Sequence, residues 1–553
     1  MTSGAVAGPG AELPWQWLSP RSLVVRPVTD LIRLLPVLVG IFFFGSSHAS
    51  YWGLGFAGVA IATSFVRYCT TRYAITGERV YLRHGLLSQK VLSVRRDRIR
   101  SVDLSAHVVY RLLGLRKVAV GTGRNDHRDG GSLHLDALTL ADAETLRAVL
   151  LAGARPAGPG DAADDTPDDA GPGERELARL APGWIRYAPL TLTGLVIVGV
   201  VVGTGFQFVD VTRVDVTEIG PVHQLTVSLS HISVIQRALE VALAILVLLV
   251  LLSVAGYVAL FWNFRLVSQS TGILRVSRGL LSTRTTTIDT RRLRGVELSE
   301  PLLLRGAGGA RCLAITTGLR VGHGAERGGS LLLPPAPRDV ASAVATAVLE
   351  TAVRDPEVRA AAAAGTPAPG PARPVPAVLV PAAPAPSRAD LADLLTGELV
   401  RHGPAARRRR YARALGSAVV LAAAAIVAWA GGSVPAWVGL GSLVLLPLSA
   451  ILAADRYDSL GHRLSDGWMV TRTGSLIRRR SVLSTDGIIG WRIHQSWFQR
   501  RQGLVSLAAT TAAGRQHYVA HDIPAAAALD LATSATTLLG PFRTPAGSGR
   551  PAG

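Results

Sequence analysis

Long uninterrupted apolar runs alternate with segments in which apolar and polar residues change places every second position, and the alternation occurs three times. A helix rises 1.5 Å per residue through a hydrocarbon core about 30 Å thick, so a span needs about 20 mostly apolar residues. Six stretches qualify, and they fall in three pairs: 31–47 with 51–66, 184–206 with 239–262, and 411–430 with 434–453. The run from Val241 to Val250 has no polar face to turn toward water, which predicts a span rather than a core helix. Gly199 and Gly203, four residues apart, predict a close helix-packing face.

The polar segments behind the hairpins repeat one another. Arg83-His84-Gly85-Leu86-Leu87-Ser88 returns as Ser277-Arg278-Gly279-Leu280-Leu281-Ser282 and more loosely as Arg472-Thr473-Gly474-Ser475-Leu476-Ile477, the glycines lying 194 and then 195 residues apart. Arg98-Ile99-Arg100-Ser101-Val102-Asp103-Leu104 sits at the same offset on Arg292-Leu293-Arg294-Gly295-Val296-Glu297-Leu298, with Ile488, Trp491 and Ile493 in the third place. Gly114-Leu115 recurs as Gly309-Ala310 and Gly503-Leu504. A shared offset over separate motifs means one module used three times. Each copy reads as short strands such as Val80-Tyr81-Leu82 and Leu274-Arg275-Val276 turning at a glycine, where a missing Cβ permits positive φ. Each closes on a helical pattern: 141–151, 338–353 after Pro337, and 525–539 after Pro524. About 80 residues of antiparallel strands with one helix predict a small barrel or sandwich with a helical cap.

Composition sharpens the membrane reading. Of 553 residues, 48% are hydrophobic and only 17% charged, against about 25% in soluble chains. The formal charge is nevertheless +20, carried almost wholly by arginine. Arg21, Arg26 and Arg33, then Arg67 and Arg72, flank the first pair; Arg186 and Arg265 flank the second; Arg407 to Arg410, Arg413 and Arg456 flank the third. The loops inside the pairs carry only Arg213 and Arg237, so the positive-inside bias places both termini and all large polar segments in the cytoplasm. The start of the chain lacks the pattern of a cleaved signal peptide. Cys69 and Cys312, far apart, provide neither a disulfide framework nor a thiolate metal site.

Little points to catalysis. His127-Arg128-Asp129 spells a kinase triplet, but the Gly-rich loop, DFG and spaced Asn that give it meaning are missing. The sequence has no P-loop and no G-x-S-x-G, and no convincing Cys/His nucleophile pair. Asp161, Asp164, Asp165, Asp168 and Asp169 lie in a solvated Ala/Pro/Gly tract. No enzyme activity, cofactor or metal is expected.

The order of motifs (two spans, Tyr73-Ala74-Ile75-Thr76, Gly85-Leu86-Leu87, Arg98-Ile99, Arg111-Leu112-Leu113-Gly114-Leu115, then Thr122-Gly123) resembles the bacterial pleckstrin-homology-like (PH-like) domain membrane proteins of the YdbS/YdbT type. The resemblance covers all three units. It implies seven-stranded PH-like β-barrels, each capped by a C-terminal helix, and three copies match the YdbT-like arrangement. The second copy departs at Val267-Ser268-Gln269 and the third at Gly474-Ser475-Leu476.

The expected architecture is therefore six transmembrane helices in α-helical hairpins plus three mainly-β domains. In order these are a cytosolic segment (1–30), hairpin 1 (31–68), PH-like domain 1 (72–151), a linker (152–180), hairpin 2 (184–262, external loop 207–238), PH-like domain 2 (264–353), an Ala/Pro-rich linker (354–400), hairpin 3 (411–454), PH-like domain 3 (461–539) and a disordered tail (540–553). Candidate contacts to anionic lipid or a partner are Arg95, Arg96, Arg98 and Arg100, Arg291, Arg292 and Arg294, and Arg478, Arg479 and Arg480, beside the repeat-turn glycines Gly85, Gly279 and Gly474. A juxtamembrane cation adds about 1 kcal/mol of attraction to an anionic leaflet. The function expected is non-catalytic binding and assembly at a bacterial plasma membrane, with lipid, a smaller PH-like membrane protein or a second copy as partner. Nucleic acid is not expected, because aromatics are not interleaved with the charge. The alternative is transport, export or resistance toward a membrane-active compound, with the PH-like domains as cytosolic regulators.

Overall fold

The structure, a computed structural model, describes residues 15–17, 65, 70–76, 79–84, 90–95, 101–121, 133–142, 145–146, 174–191, 234–269, 272–317, 330–354 and 386–535. It divides into two compact units, 1–289 and 290–553.

In the first unit, β1 (Gln16–Trp17), β2 (Arg72–Ile75), β3 (Arg79–His84) and β4 (Lys90–Arg95) form an antiparallel sheet in that order. β5 (Ser101–His107), the single turn α1 (Val108–Leu112), β6 (Leu115–Gly121) and β7 (Leu133–Thr139) follow. Next come β8 (Glu174–Arg179), a 3₁₀ segment (Pro182–Leu190), α2 (Val234–Phe261), β9 (Arg265–Gln269), β10 (Ile273–Arg278) and β11 (Ser282–Asp289). The second sheet runs β7-β6-β5-β11-β10-β9-β8. β10 buries Leu274, Val276 and Arg278 and leaves the residues between them half-buried, the two-residue period of a pleated strand.

In the second unit, β12 (Leu293–Pro301), α3 (Leu302–Gly306), β13 (Gly309–Thr316) and β14 (Leu331–Pro337) lead to α4 (Arg338–Arg354) and α5 (Arg388–Thr396). α6 (Gly403–Ala430), α7 (Ala436–Gly441) and α8 (Leu445–Asp458) precede β15 (Gly461–Ser465), β16 (Trp468–Thr473), β17 (Ile477–Ser484) and β18 (Gly490–His494). α9 (Trp497–Arg500), β19 (Leu504–Thr510), β20 (His517–Pro524) and α10 (Ala525–Ala535) finish the described chain. One sheet runs β14-β13-β12-β17-β16-β15 and another β18-β19-β20. Leu507, Ala509, Ala520 and Tyr518 pack against Leu531 and Ala532 of α10 in the core of this unit.

The repeat-turn glycines behave as their spacing predicts. Gly279 and Gly474 have φ of 110° and 100°, and a Cβ on either would run into the carbonyl oxygen three residues on, of Ser282 or Ile477. Gly85 lies outside the described residues.

Three features differ from the sequence reading. First, among the described residues the sheets are open and no barrel closes. The third and fourth strands of a copy never join each other, because 3₁₀ turns at Thr290–Arg292 and Thr485–Gly487 re-aim the chain between them. β5 of copy 1 pairs instead with β11, the third strand of copy 2, and β12 of copy 2 pairs with β17, the third strand of copy 3.

Second, each module begins before its predicted hairpin. β1 pairs with β2, β8 with β9, and Val400 bridges His462, so a segment upstream of each predicted hairpin is hydrogen-bonded to the segment downstream. β8 lies in the stretch read as linker 152–180. Within the stretch read as linker 354–400, α5 is opened by a reciprocal Ser387–Asp390 cap and buries Leu391, Leu394 and Leu395.

Third, three helical segments rather than six are long and apolar enough to cross a membrane among the described residues: 243–261 within α2, α6, and the run 436–458. α2 starts at Val234 and exposes Leu239, Leu243, Leu246 and Leu251, an apolar surface that water does not suit. α6 and the 436–458 run form a tight hairpin in which a Cβ on Gly439 would press on the Trp429 side chain. A 3₁₀ stretch, Ser442–Val444, interrupts the second arm just ahead of Pro447, whose ring displaces the carbonyl four residues earlier. The predicted spans 31–47 and 51–66 lie outside the described residues, apart from Phe65. The predicted span 184–206 is described only at its start, as the 3₁₀ segment, where Ser253 Oγ of α2 donates to Ala188 O at 2.6 Å.

Candidate functional site

α6 starts with Pro404 in its first turn, where no backbone N–H is missed, and immediately carries four arginines. Positions three, four and seven apart share a helix face, so Arg409, Arg410 and Arg413 line up below Ala406. They look onto one face of the β18-β19-β20 sheet. Strand alternation places Arg492 and His494, Ser506 and Ala508, and His517, Val519 and His521 on that face; Leu507, Ala509 and Ala520 take the core face. The two walls enclose a cleft of about 940 Å³.

Its floor is a buried polar knot. Asp522, fully buried and held at φ 58°, accepts from Arg409 Nη1 and from Gln499 Nε2 at 2.8 Å through one oxygen, and its other oxygen forms an ion pair with Arg410 Nη2 at 2.7 Å. Gln499 also donates to Ser506 Oγ at 2.9 Å, while its Oε1 accepts from the backbone N–H of Ser496 in the cap of α9. Beneath the knot, His402 Nδ1 lies 2.6 Å from the carbonyl oxygen of His521, which can only accept, so Nδ1 carries the proton. Nε2 of a neutral His402 then accepts from His462 Nδ1 at 3.0 Å. Burial pushes both imidazoles below the ordinary histidine range, His462 to about 4 with His402 adding to the effect. Burial, then Arg410, lowers His521 likewise.

Four guanidinium groups, Arg409, Arg410, Arg413 and Arg492, thus face one carboxylate. Arg413 and Arg492 are exposed and have no acidic partner within ion-pair distance among the described residues. At the mouth Phe498 is 66% and Trp497 57% exposed, the two rings meeting edge to face, with Arg501 stacked 3.9 Å over Trp497. Chemically this is a cationic cleft with an aromatic lip at the root of an apolar helix hairpin. No group of three or more His, Cys, Asp or Glu suited to a metal occurs among the described residues.

The arginines singled out from sequence occupy other places. Arg478 Nε donates to Ser459 Oγ at 3.0 Å and its Nη2 lies 3.4 Å from Asp455. Arg479 and Arg515 both face buried Glu297, at 3.5 and 3.1 Å. Arg480, only 5% exposed, donates to Leu394 O at 3.0 Å and Gly397 O at 2.7 Å, closing the C-terminal end of α5; burial, then Arg472 and Arg338, depresses it to about 10. Arg291 and Arg292 form the 3₁₀ turn ahead of β12, and Arg294 packs along Gly487. Arg95 ends β4, whereas Arg96, Arg98 and Arg100 lie outside the described residues.

From sequence, Arg407 to Arg410 and Arg413 read only as charge flanking a span. The signal for the cleft is non-local: Asp522 lies more than 100 residues from the arginines it neutralises.

The bacterial PH domain family matches residues 29–154, 193–352 and 411–535, each match taking in sequence from a predicted hairpin together with the strands behind it. The chain therefore belongs to the bacterial PH domain family and carries three copies of its unit. No curated protein and no solved structure matches it.

Proposed function

We propose that this protein is a multi-pass plasma-membrane protein that holds its three bacterial PH domains against the cytoplasmic leaflet. It works by binding anionic lipid head groups and assembling partners there, not by catalysis. The carrying observation is the cleft at the foot of α6: uncompensated Arg413 and Arg492 above a fixed Arg409–Asp522–Arg410 floor, with exposed Trp497 and Phe498 beside it. Aromatic side chains of this kind favour the level of the lipid head groups. The strand pairing across the neck of each hairpin supports the topology, since it holds both ends of a hairpin on one side.

The test uses the full chain in detergent, titrated with short-chain phosphatidylglycerol and followed by tryptophan fluorescence. Phosphatidylcholine and inorganic phosphate are the comparison ligands. Removing two cations worth about 1 kcal/mol each weakens phosphatidylglycerol binding roughly 30-fold in Arg413→Ala/Arg492→Ala. Equal affinity for phosphatidylcholine, or an unchanged affinity in the double variant, refutes the reading.

A further inference from the structure

The chain joins its copies by one rule, used twice. The fourth strand of a copy lies antiparallel to the third strand of the next: β5 on β11, and β12 on β17. The register is the same at both joints once the copies are superposed on their turn glycines. Leu104 faces Thr285 in the first, and Leu298 faces Arg480 in the second. Leu104 and Leu298 stand at equivalent places, as do Thr285 and Arg480.

Two halves of this joint are left over. β4 is the third strand of copy 1 and β18 the fourth strand of copy 3, and neither pairs with a strand of another copy among the described residues. Both have an open edge among the described residues: β4 ends the order β1-β2-β3-β4, and β18 ends β18-β19-β20. The repeat offset places Val91 where Thr285 and Arg480 stand, and Ile493 where Leu104 and Leu298 stand. Val91 is 56% exposed and Ile493 53%, whereas Leu104 and Leu298, which are paired at their joints, are buried. Carrying the register over sets these two exposed aliphatic residues directly opposite each other, with Leu92 facing Arg492 and Lys90 facing His494. An open edge with an apolar residue at its centre is a template for strand addition.

We infer that β18 of one chain pairs antiparallel with β4 of a second copy of this chain, in the register Ile493 to Val91, so that the protein associates head to tail. The joint is heterologous, so each added chain exposes a fresh β4 and a fresh β18, and assembly extends beyond a dimer unless it closes into a ring.

Cysteine pairing in membranes tests this in the full chain, with Cys69→Ser and with Cys312 left in its core. Val91→Cys and Ile493→Cys are placed on separately tagged chains and co-expressed, so that a mixed-tag disulfide can only be intermolecular. Directly opposed residues bring their Cβ atoms within about 4.5–5.5 Å, close enough to bridge with slight adjustment. Mild oxidation is expected to give a mixed-tag dimer, little dimer from either variant alone, and a ladder from the doubly substituted chain. Ile493→Asp, a change at an exposed position, is expected to lower the assembly mass in detergent while leaving the thermal transition in place. Absence of the mixed-tag product overturns the inference. Equal cross-linking within each single variant does so too, as does a double variant that cross-links only within one chain.

Discussion

Replacing Asp522 with asparagine separates stability from anion affinity and moves them in opposite directions. Asparagine tolerates the left-handed backbone that Asp522 adopts at φ 58° and keeps an acceptor for Gln499, so the perturbation is chiefly the loss of one negative charge. Its partners are largely buried, Arg409 at 17% and Arg410 at 18% side-chain exposure. Leaving buried cations uncompensated costs about 3 kcal/mol. For a unit of roughly 150–250 residues that corresponds to a fall in Tm of about 6–12 °C. The same change raises the net charge of the cleft by one, so phosphatidylglycerol binds more tightly to Asp522→Asn and recovers part of the lost Tm by mass action. Thermal unfolding in detergent, with and without phosphatidylglycerol, reads both effects. A variant that is destabilised but binds the lipid more weakly refutes the reasoning, because the floor would then act by shaping the cleft and not through its charge.

Other outcomes follow from the same geometry. Gly474→Ala forces a Cβ onto the Ile477 carbonyl at φ 100° and is expected to cost about 1–3 kcal/mol, read as a lower urea midpoint. The histidine pair makes stability depend on pH: with folded values below the unfolded 6.5, its contribution is complete above about pH 6.5 and is lost as pH falls toward 4. His462→Gln is expected to flatten urea midpoints across that window. Arg480→Met removes both hydrogen bonds that close α5 and is expected to destabilise by about 2 kcal/mol without changing phosphatidylglycerol affinity, the converse of Arg413→Ala/Arg492→Ala.

The threefold repeat, the turn glycines, most strands and the closing helix α4 were legible because each rests on local chemistry: a period of two, a residue without Cβ, a proline ahead of a helix. Strand partnership was not legible. β5 and β12 read as strands, yet nothing within a strand names its neighbour, and here the neighbour comes from the next copy. β8 was missed because Glu174-Arg175-Glu176-Leu177-Ala178-Arg179 is short and mostly charged, and its pairing with β9 spans the whole of the predicted second hairpin. At Arg478, Arg479 and Arg480 the basic run was plain, but its engagement with Asp455, Glu297 and the end of α5 depends on contacts from distant segments.

The handing of one copy's strand to the next also imposes an order on biosynthesis. His107 of β5 meets Ser282 of β11, whose synthesis comes 175 residues later. At roughly 5–20 residues per second the ribosome takes about 10–35 s to deliver that strand. For this interval β5 stays uncovered on its β11 side, while the apolar sequence between them is made. A translational pause ahead of β11 would prolong the exposure, so nascent copy 1 is the stage at which a holdase chaperone has most to protect.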